Sequence, residues 1–227
     1  MGFGIINFAE RRIHMAKTKN EWLMEGASYA GKHEMPVIEK FEGIPPEKLS
    51  RFSDVIPNRK ASRNQWVCFY EGDERFEKVW EKANIYIPIL EKFDGIITPD
   101  FSMYIDMPLE LQRWNCWRGR LIGNYLQRRG CKVIPNVRFG DERTFDFCFD
   151  GLPKGSVISL GSLGCIKNRT SREFFEKGLL ETVLRLRPKL VIIYGSLTQF
   201  VLKVLEENDV TYIVIDCKTK IEHKRRS

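Results

Sequence analysis

The feature of this sequence that most limits its fold is a series of short apolar runs that alternates with helical stretches from Trp66 onward. This alternation is typical of parallel strands joined by helical crossovers. Helical stretches are predicted at about residues 73–82, 107–129, 171–186 and 197–207. The predicted strands lie in the runs WVCFY, GIITPDF, KVIPNV, SVISLG, LVIIYG and TYIVID.

The predicted fold class is therefore α/β, with a mostly parallel open sheet of about six strands and helices on both faces. A partial barrel is the alternative, since six strands are too few for a complete eight-fold barrel. Residues 1–60 end in proline-punctuated sequence, so we expect an irregular N-terminal extension packed on the main domain. The α/β domain is expected at residues 61–217, followed by a basic tail at 218–227.

Composition limits the class of protein and its compartment. With 43% hydrophobic and 30% charged residues the chain can form a packed core, and no apolar run reaches the ~20 residues of a membrane span. We therefore expect no membrane partner. The N-terminus lacks the pattern of a secretory signal and the six cysteines form no C-x-x-C pair, so we expect reduced thiols, a cytoplasmic location and no metal. The sequence leaves the cofactor and the oligomeric state unknown.

Positive charge is concentrated in residues 111–140, which contain seven Arg and Lys residues and no acid, whereas residues 71–110 contain ten acids and four bases. Trp114, Trp117 and Tyr125 are interleaved with the arginines, a composition typical of surfaces that contact phosphates and stack bases. This pattern is compatible with a nucleic-acid or nucleotide partner. The alternative is that the aromatic residues are core and the arginines form a solvated helix face.

The residues that finish each predicted strand are candidate site residues, because open parallel sheets bind ligands beyond the carboxyl ends of their strands. Turns use the same residue types, which is the structural alternative. Asp150 ends the alternating segment FDFCFDG, which we expect to be an extra edge strand or a lid. The candidate catalytic residues are Asp100 and Asp150, and the candidate binding residues at this edge are Ser102, Arg138, Ser162, Tyr194 and Ser196.

The long predicted helix adds three candidate binding residues: Asn115, Arg118 and Arg120. Its helical projection places Arg118 near the middle of the apolar face, Asn115 at the margin of that face and Arg120 on the opposite, solvent side. A guanidinium directed at a core needs an anionic partner, because an unpaired buried charge costs several kcal/mol. The partner is either an internal carboxylate, such as that of Asp100 or Asp150, or an anionic group of a ligand. A third possibility is that the long side chain extends to the edge of the apolar face and reaches solvent.

The motifs of P-loop, dinucleotide-binding, serine-hydrolase and zincin proteins are absent from the sequence. The segment GSLGCIKNRTSREF follows a predicted strand and precedes a helix, an arrangement compatible with anion binding by loop amides. A Mg²⁺ site is an alternative at four neighbouring carboxylates: Asp141, Glu142, Asp146 and Asp150.

Several of these residues belong to one extended pattern, formed by Pro99 to Ser102, Pro108, Asn115, Arg118, Arg120, Gln127, Gly130, Pro135 and Tyr194 with Gly195. In this pattern, the chain resembles an uncharacterised bacterial and phage family described as domain of unknown function 4417. The similarity runs from about Trp66 to Asp216, and the chain has Phe139 where members of the family often have Trp. The resemblance implies an association with phages, plasmids and other mobile elements, and it implies no particular chemistry.

Three functions are compatible with the sequence. The first is a cytosolic phage or mobile-element protein that binds nucleic acid or a nucleotide-like anion at the carboxyl edge of its sheet. The second is an enzyme for a phosphorylated or nucleotide substrate, in which Arg118 and Arg138 hold phosphate and Asp100 or Asp150 acts as a base or metal ligand. The third is a non-enzymatic interaction protein directed at a host factor.

Overall fold

The chain forms a small antiparallel sheet and a larger parallel one. The computed structural model describes residues 6–7, 19–57, 62–163 and 169–217. In these residues the strands are β1 (Ile6–Asn7), β2 (Ser28–Ala30), β3 (Met35–Pro36), β4 (Leu49–Arg51), β5 (Trp66–Cys68), β6 (Gly95–Ile97), β7 (Val133–Ile134), β8 (Val157–Gly161), β9 (Leu190–Tyr194) and β10 (Thr211–Ile215). Strands β1 to β3 form the antiparallel sheet.

Strands β4 to β10 run parallel and lie side by side in chain order. A parallel bridge between Asn136 and Ser159 joins β4–β7 to β8–β10, and the Val137 amide donates to the Ser159 carbonyl at 2.8 Å. In the described part of the chain the edge strands β4 and β10 do not pair, so the sheet stays open. The predicted open parallel sheet is confirmed, and the six predicted strand runs correspond to β5–β10.

The helices are α1 (Phe52–Val55), α2 (Asp73–Phe76), α3 (Lys78–Glu81), α4 (Ala83–Leu90), α5 (Leu109–Arg128), α6 (Arg169–Leu186) and α7 (Gln199–Glu207), with 3-10 helices at Glu21–Leu23 and Glu142–Asp146. Helices α5, α6 and α7 occur where the sequence predicts them. The single helix predicted at 73–82 is two short helices, and α4 is additional. Pro88 lies inside α4, and a proline removes one backbone hydrogen bond from a helix because it has no N–H group. No helix in the described residues is long and apolar enough to cross a membrane.

Alternate residues of each strand pack on opposite faces of the sheet. Outward-facing residues such as Val67 and Ile96 pack with helices α2 to α5, and Ile158 and Val191 pack with α6 and α7. Inward-facing residues of the two halves pack with one another and with Phe41: Trp66, Cys68, Tyr70, Ile97, Ile134, Val157, Ile192, Tyr194 and Ile215. These inward-facing side chains form one shared cluster on this face of the open sheet, which does not close into a barrel in the described residues.

The segment that precedes the sheet packs on α5. The Asn124 side-chain amide donates to the Val37 carbonyl at 2.7 Å, and the Arg128 guanidinium donates to the carbonyls of Leu23 and Glu25 at 2.7 Å each. Strand β4 pairs with β5, so the parallel sheet begins inside the segment that the sequence assigns to the N-terminal extension. The predicted basic tail at 218–227 lies outside the described residues.

Candidate functional site

A cleft of about 730 Å³ lies at the carboxyl ends of β5 to β8. Residues that follow these strands form its floor and sides, and the first turns of α6 form one wall. The lining residues are Tyr70, Glu71, Gly72, Asp100, Ser102, Met103, Tyr104, Ile105, Asp106, Arg138, Phe139, Gly140, Gly161, Leu163, Ser171, Phe174 and Phe175. The cleft therefore occupies the sheet edge at which ligands of open parallel sheets bind.

Asp100 and Arg138 form an ion pair in the lining of the cleft. The Arg138 Nη1 and Asp100 Oδ2 atoms are 3.5 Å apart, and the two side chains are 21% and 12% exposed. Asn136 donates from its side-chain amide to the other Asp100 oxygen at 2.7 Å. Burial raises the pKa of Asp100, although Arg138 and Asn136 act in the opposite direction. The carboxylate is thus fixed by two partners and is more easily protonated than an exposed aspartate.

Tyr70 supports the Asp100–Arg138 pair through Asn136. Its hydroxyl donates to the Asn136 side-chain oxygen at 3.0 Å and lies 2.6 Å from the Ser159 hydroxyl. The Tyr70 ring stacks on Tyr194 with centroids 4.9 Å apart, so side chains from the two halves of the sheet meet here. Burial, the largest cause, raises the pKa of Tyr70 well above its ordinary value. The phenol therefore stays neutral and serves as a fixed hydrogen-bonding group.

Ser102 lines the cleft and is fixed from two sides. The Asp73 carboxylate accepts from the Ser102 hydroxyl at 2.9 Å and from its backbone amide at 3.1 Å. The Asn115 side-chain amide donates to the Ser102 carbonyl at 2.7 Å. Asn115 is thus a support for the loop after β6 and is not part of the cleft lining.

Arg118 has an internal partner that the sequence reasoning did not consider. Its guanidinium pairs with both carboxylate oxygens of Glu77, and the Nη2–Oε2 distance is 3.1 Å. Its Nε donates to Asn115 Oδ1 at 2.9 Å, and its charged carbon lies 3.7 Å from the centroid of the Phe101 ring. The partner is therefore neither Asp100 nor Asp150, and Arg118 reaches the cleft only through Asn115 and Ser102.

The prediction that Arg120 faces solvent is wrong, because its side chain is only 4% exposed. Its guanidinium donates to the carbonyls of Asp150 and Cys148, with a distance of 2.8 Å to Cys148. The FDFCFDG segment, which carries these carbonyls, is the end of a 3-10 helix followed by turns, so the predicted edge strand is wrong as well. This segment covers the face of α5 that the helical projection assigned to solvent.

Asp150 is separated from the cleft lining. Its carboxylate lies against the backbone of Gly31, where a β-carbon would come within 1.9 Å of Oδ2. Burial raises the pKa of Asp150, with Arg120 acting in the opposite direction. The structure therefore does not bring the two candidate catalytic carboxylates together.

Ser162, Tyr194 and Ser196 tie the ends of β8 and β9 together beside the cleft. The Ser196 amide donates to the Ser162 hydroxyl oxygen at 2.9 Å, and the Ser162 amide donates to the Tyr194 carbonyl at 3.0 Å. None of the three lines the cleft, whereas Gly161 and Leu163 on either side of Ser162 do. Most of the predicted GSLGCIKN anion-binding loop lies outside the described residues.

The remaining arginines of the 111–140 stretch also contact groups of the protein: Arg113 pairs with Glu110 at 2.8 Å, Arg128 binds the carbonyls of Leu23 and Glu25, and Arg129 pairs with Glu91 at 3.2 Å. The Trp114 and Trp117 rings stack on each other, with Trp80 edge-on to Trp114. These contacts favour a structural role for α5 over a phosphate-tracking surface.

Three of the four carboxylates considered for Mg²⁺ pair with cations of the protein. Asp141 pairs with Arg143 at 2.8 Å, Asp146 pairs with Lys32 at 2.7 Å and accepts from His33, and Glu142 pairs with Lys177. The Arg143 hydrogen bond lowers the pKa of Asp141. In the part of the chain that the structure describes, no three His, Cys, Asp or Glu side chains form a group that could hold a metal ion. The described cysteines are free thiols, and Cys165 lies outside the described residues.

Sequence reasoning missed the contribution of β5 to the site. Tyr70 is the last residue of the predicted strand run WVCFY, and Glu71 and Gly72 follow it; none of the three was among the predicted site residues. The aromatic wall, with Phe139 and Phe174, was also missed. The strand-end rule, applied to β5, would have identified Tyr70, Glu71 and Gly72. The aromatic wall depends on how α6 packs against the cleft, and this packing leaves no signal in the sequence pattern.

Comparison with known proteins gives one family and two curated relatives. The model of the family described as Domain of unknown function (DUF4417) matches residues 27–215. The "Gene 1 protein" of Mycobacterium phage L5 is 38% identical over 129 residues, which cover 57% of this chain and 56% of the relative. The "Gene 1 protein" of Mycobacterium phage D29 is 37% identical over 129 residues, covering 57% of this chain and 48% of the relative.

The match thus spans about half the length of these curated relatives. No solved structure matches the chain. The similarity to phage proteins confirms the first part of the predicted function, a phage-related α/β protein.

Proposed function

Because the chain belongs to the family described as Domain of unknown function (DUF4417), we propose from the geometry of its cleft that it binds a small ligand with one anionic group and a flat ring, as in a nucleotide. The observation that carries this proposal is the Asp100–Arg138 pair in the lining of a cavity of about 730 Å³. Cavities of roughly 300–1,000 Å³ with a few oriented polar groups are typical of small-molecule sites.

Arg138 supplies the contact with the anion. Its guanidinium lines the cleft, and Asp100 holds its orientation. Guanidinium groups bind phosphate and carboxylate through paired N–H donors. Asn136 donates to Asp100, and Tyr70 donates to Asn136, so buried hydrogen bonds hold the ion-pair partner of Arg138 in place before any ligand arrives. A preorganised donor loses less conformational entropy on binding.

The walls of the cleft suit a flat ring. Its lining includes the rings of Tyr104, Phe139, Phe174 and Phe175, and the Phe139 and Phe175 ring centroids are 5.9 Å apart. Aromatic side chains bind planar rings by stacking and edge contacts.

The charge of the lining favours a ligand with few negative charges. Among the described lining residues, Glu71, Asp100 and Asp106 are acidic and Arg138 is the only cation. A polynucleotide or a triphosphate would meet more repulsion there than a monophosphate, while the carboxylates can accept hydrogen bonds from hydroxyl or amino groups of a nucleoside.

Calorimetric titration tests the proposal with the four common ribonucleoside 5′-monophosphates, the matching nucleosides and the triphosphates. We expect at least one monophosphate to bind more tightly than its nucleoside and its triphosphate. Arg138→Gln should weaken this binding at least tenfold, whereas the control Arg129→Gln, which removes a guanidinium that pairs with Glu91 outside the cleft lining, should not.

A second variant separates lost binding from lost folding. Leu163 is 43% exposed at the cleft, so Leu163→Trp should fold normally and fill part of the cavity. Binding that survives both Arg138→Gln and Leu163→Trp, or failure of every monophosphate to bind at millimolar concentration, would contradict the proposal.

An enzyme is the second candidate function, and the raised pKa of Asp100 favours it. A partly buried carboxyl group with a raised pKa is a suitable general acid, and such groups concentrate in active sites. Asp100→Asn should retain the bound nucleotide but abolish its conversion, which mass spectrometry of the ligand would detect, while Asp150→Asn should leave conversion unchanged. Absence of any conversion by the parent protein would exclude this candidate for the ligands tested.

A further inference from the structure

We propose that a second surface, at the opposite edge of the sheet from the cleft, binds the phosphate backbone of duplex DNA. The amino ends of β7, β8 and β9 carry four exposed cations, which we call the amino-edge cluster: Lys132, Lys154, Arg187 and Lys189. This surface shares no residue with the cleft.

Backbone hydrogen bonds bring the cluster together. The Gly155 amide donates to the Leu186 carbonyl at 2.8 Å, and the Lys189 amide donates to the Ser156 carbonyl at 3.0 Å. These two bonds join the segment that precedes β8 to the segment that precedes β9, at the amino ends of both strands. Lys154, Arg187 and Lys189 lie on these two segments.

The strand register places Lys132 beside the other three cations of the cluster. Asn136 of the bridge pairs with Ser159, so four residues earlier Lys132 lies level with Gly155. Neighbouring strands are about 4.8 Å apart, so the amino ends of β7 and β9 are separated by roughly 10 Å. With the reach of the side chains, this width is comparable to the ~12 Å major groove that separates two phosphate backbones.

The cluster has no internal counter-charge. Among the residues that the structure describes, none of its four members forms an ion pair. This differs from the arginines of α5, which bind acids and carbonyls of the protein. Asp94 before β6 and Asp209 before β10 bound the cluster on its two sides. The positive surface is therefore limited to three strand ends.

Lys40 extends the cluster on one side. The Phe41 amide donates to the Ser156 hydroxyl at 3.0 Å, and the Lys40 ammonium lies 3.8 Å from the position of a β-carbon at Gly155. Glu39 and Glu42 flank Lys40 in the sequence and offset its charge. The four residues of the amino-edge cluster therefore supply the main attraction.

Duplex DNA fits this surface better than a single strand. Proteins that hold single strands combine cations with exposed aromatic rings on which bases stack. No exposed aromatic side chain belongs to the described segments that carry the cluster. Cations without stacking rings bind phosphates independently of sequence, so we expect no base specificity.

Fluorescence anisotropy with a labelled 20-base-pair duplex of random sequence tests the proposal between 50 and 200 mM salt. Four phosphate contacts predict a slope of about −3.6 for the logarithm of the binding constant against the logarithm of salt concentration, which is roughly a 150-fold loss over this range. The double variant Lys154→Ala/Lys189→Ala should reduce the slope to about −1.8.

The matched control is Lys177→Ala/Lys203→Ala, which removes the same charge from two exposed lysines that pair with Glu142 and Glu207. It should keep the parent slope, and Leu163→Trp should leave duplex binding unchanged because it alters only the cleft. All four substituted lysines are on the surface, so the variants should fold.

Three outcomes would overturn the proposal. One is a parent protein that does not bind the duplex below 100 µM at 50 mM salt. Another is an equal loss of binding in the cluster variant and its matched control. The third is tighter binding to the single strand of the same length, or to phosphatidylserine vesicles, than to the duplex.

Discussion

Arg118 provides the most detailed test of how the cleft is supported. We consider Arg118→Met, which keeps much of the side-chain volume over Phe101 and removes the charge. The change breaks two contacts with Glu77, one with Asn115 and the cation–π contact with Phe101. Asn115 would then lose the partner that fixes its side chain beneath Ser102.

The expected loss in the free energy of unfolding follows from the burial of Arg118 and Glu77. Removing one member of a fully buried ion pair costs about 3–5 kcal/mol. The Arg118 side chain is 9% exposed, but that of Glu77 is 32% exposed and can regain water. We therefore expect a loss of about 2–3 kcal/mol in the free energy of unfolding, which in a chain of this size is about 5–10 °C in Tm.

Urea unfolding of four single variants and one double variant tests this reasoning. Arg118→Lys keeps the charge but not the paired donors, so we expect it to lose about 1–2 kcal/mol. A double-mutant cycle with Glu77→Gln should give a coupling energy of about 1–2 kcal/mol. Arg113→Met is the matched control, because its partner Glu110 is 76% exposed, and such pairs contribute about 0–1 kcal/mol.

Two results would refute this account of Arg118. One is that Arg118→Met and Arg113→Met have unfolding free energies within about 0.5 kcal/mol of each other, which is the range of ordinary surface substitutions. The other is that Arg118→Met unfolds like the parent protein and fails to bind the nucleotide, since this would make Arg118 a direct ligand contact.

Three further predictions concern the floor of the cleft. Tyr70→Phe removes the hydroxyl between Asn136 and Ser159 and should cost about 1–2 kcal/mol in urea unfolding, and an unchanged midpoint would contradict this. Gly161→Ala places a β-carbon 2.7 Å from the Tyr70 ring, which also stacks on Tyr194, so the variant should lose about 1–3 kcal/mol in the free energy of unfolding and bind nucleotide more weakly. Parent-like stability and binding would show that the ring can move. The pKa of Asp100 is higher in the folded than in the unfolded chain, so ionisation of this carboxyl group opposes folding as the pH rises above ~4. The free energy of unfolding of Asp100→Asn, relative to that of the parent, should therefore increase with pH and then level off. A relative stability that falls with pH would contradict this prediction.

The positions of strands β5 to β10 along the chain could be predicted from the sequence because each of these strands is a short apolar run between turn residues. Strand β4, with the sequence LSR, has no such run, and its position depends on pairing with β5. The strand-end rule selected Asp100, Ser102 and Arg138, and the structure places all three in the lining of the cleft.

The partners of the α5 arginines could not be predicted, because they come from distant segments. Helical projection assumes one apolar and one solvent face. Helix α5 instead contacts protein on both sides, with Glu77 near Arg118 and the Cys148 and Asp150 carbonyls near Arg120. These contacts depend on tertiary packing, and for this reason Arg120 was assigned to the wrong face.

The central claim is that the cleft at the carboxyl edge of the sheet binds a nucleotide-like anion. Amide NMR of the isotope-labelled protein during titration with a nucleoside 5′-monophosphate tests it most directly. The account predicts saturable shifts of residues 70–72, 100–106, 138–140 and 161–163, and none at 187–189. Shifts confined to the amino-edge cluster, or a spectrum unchanged at millimolar nucleotide, would contradict it.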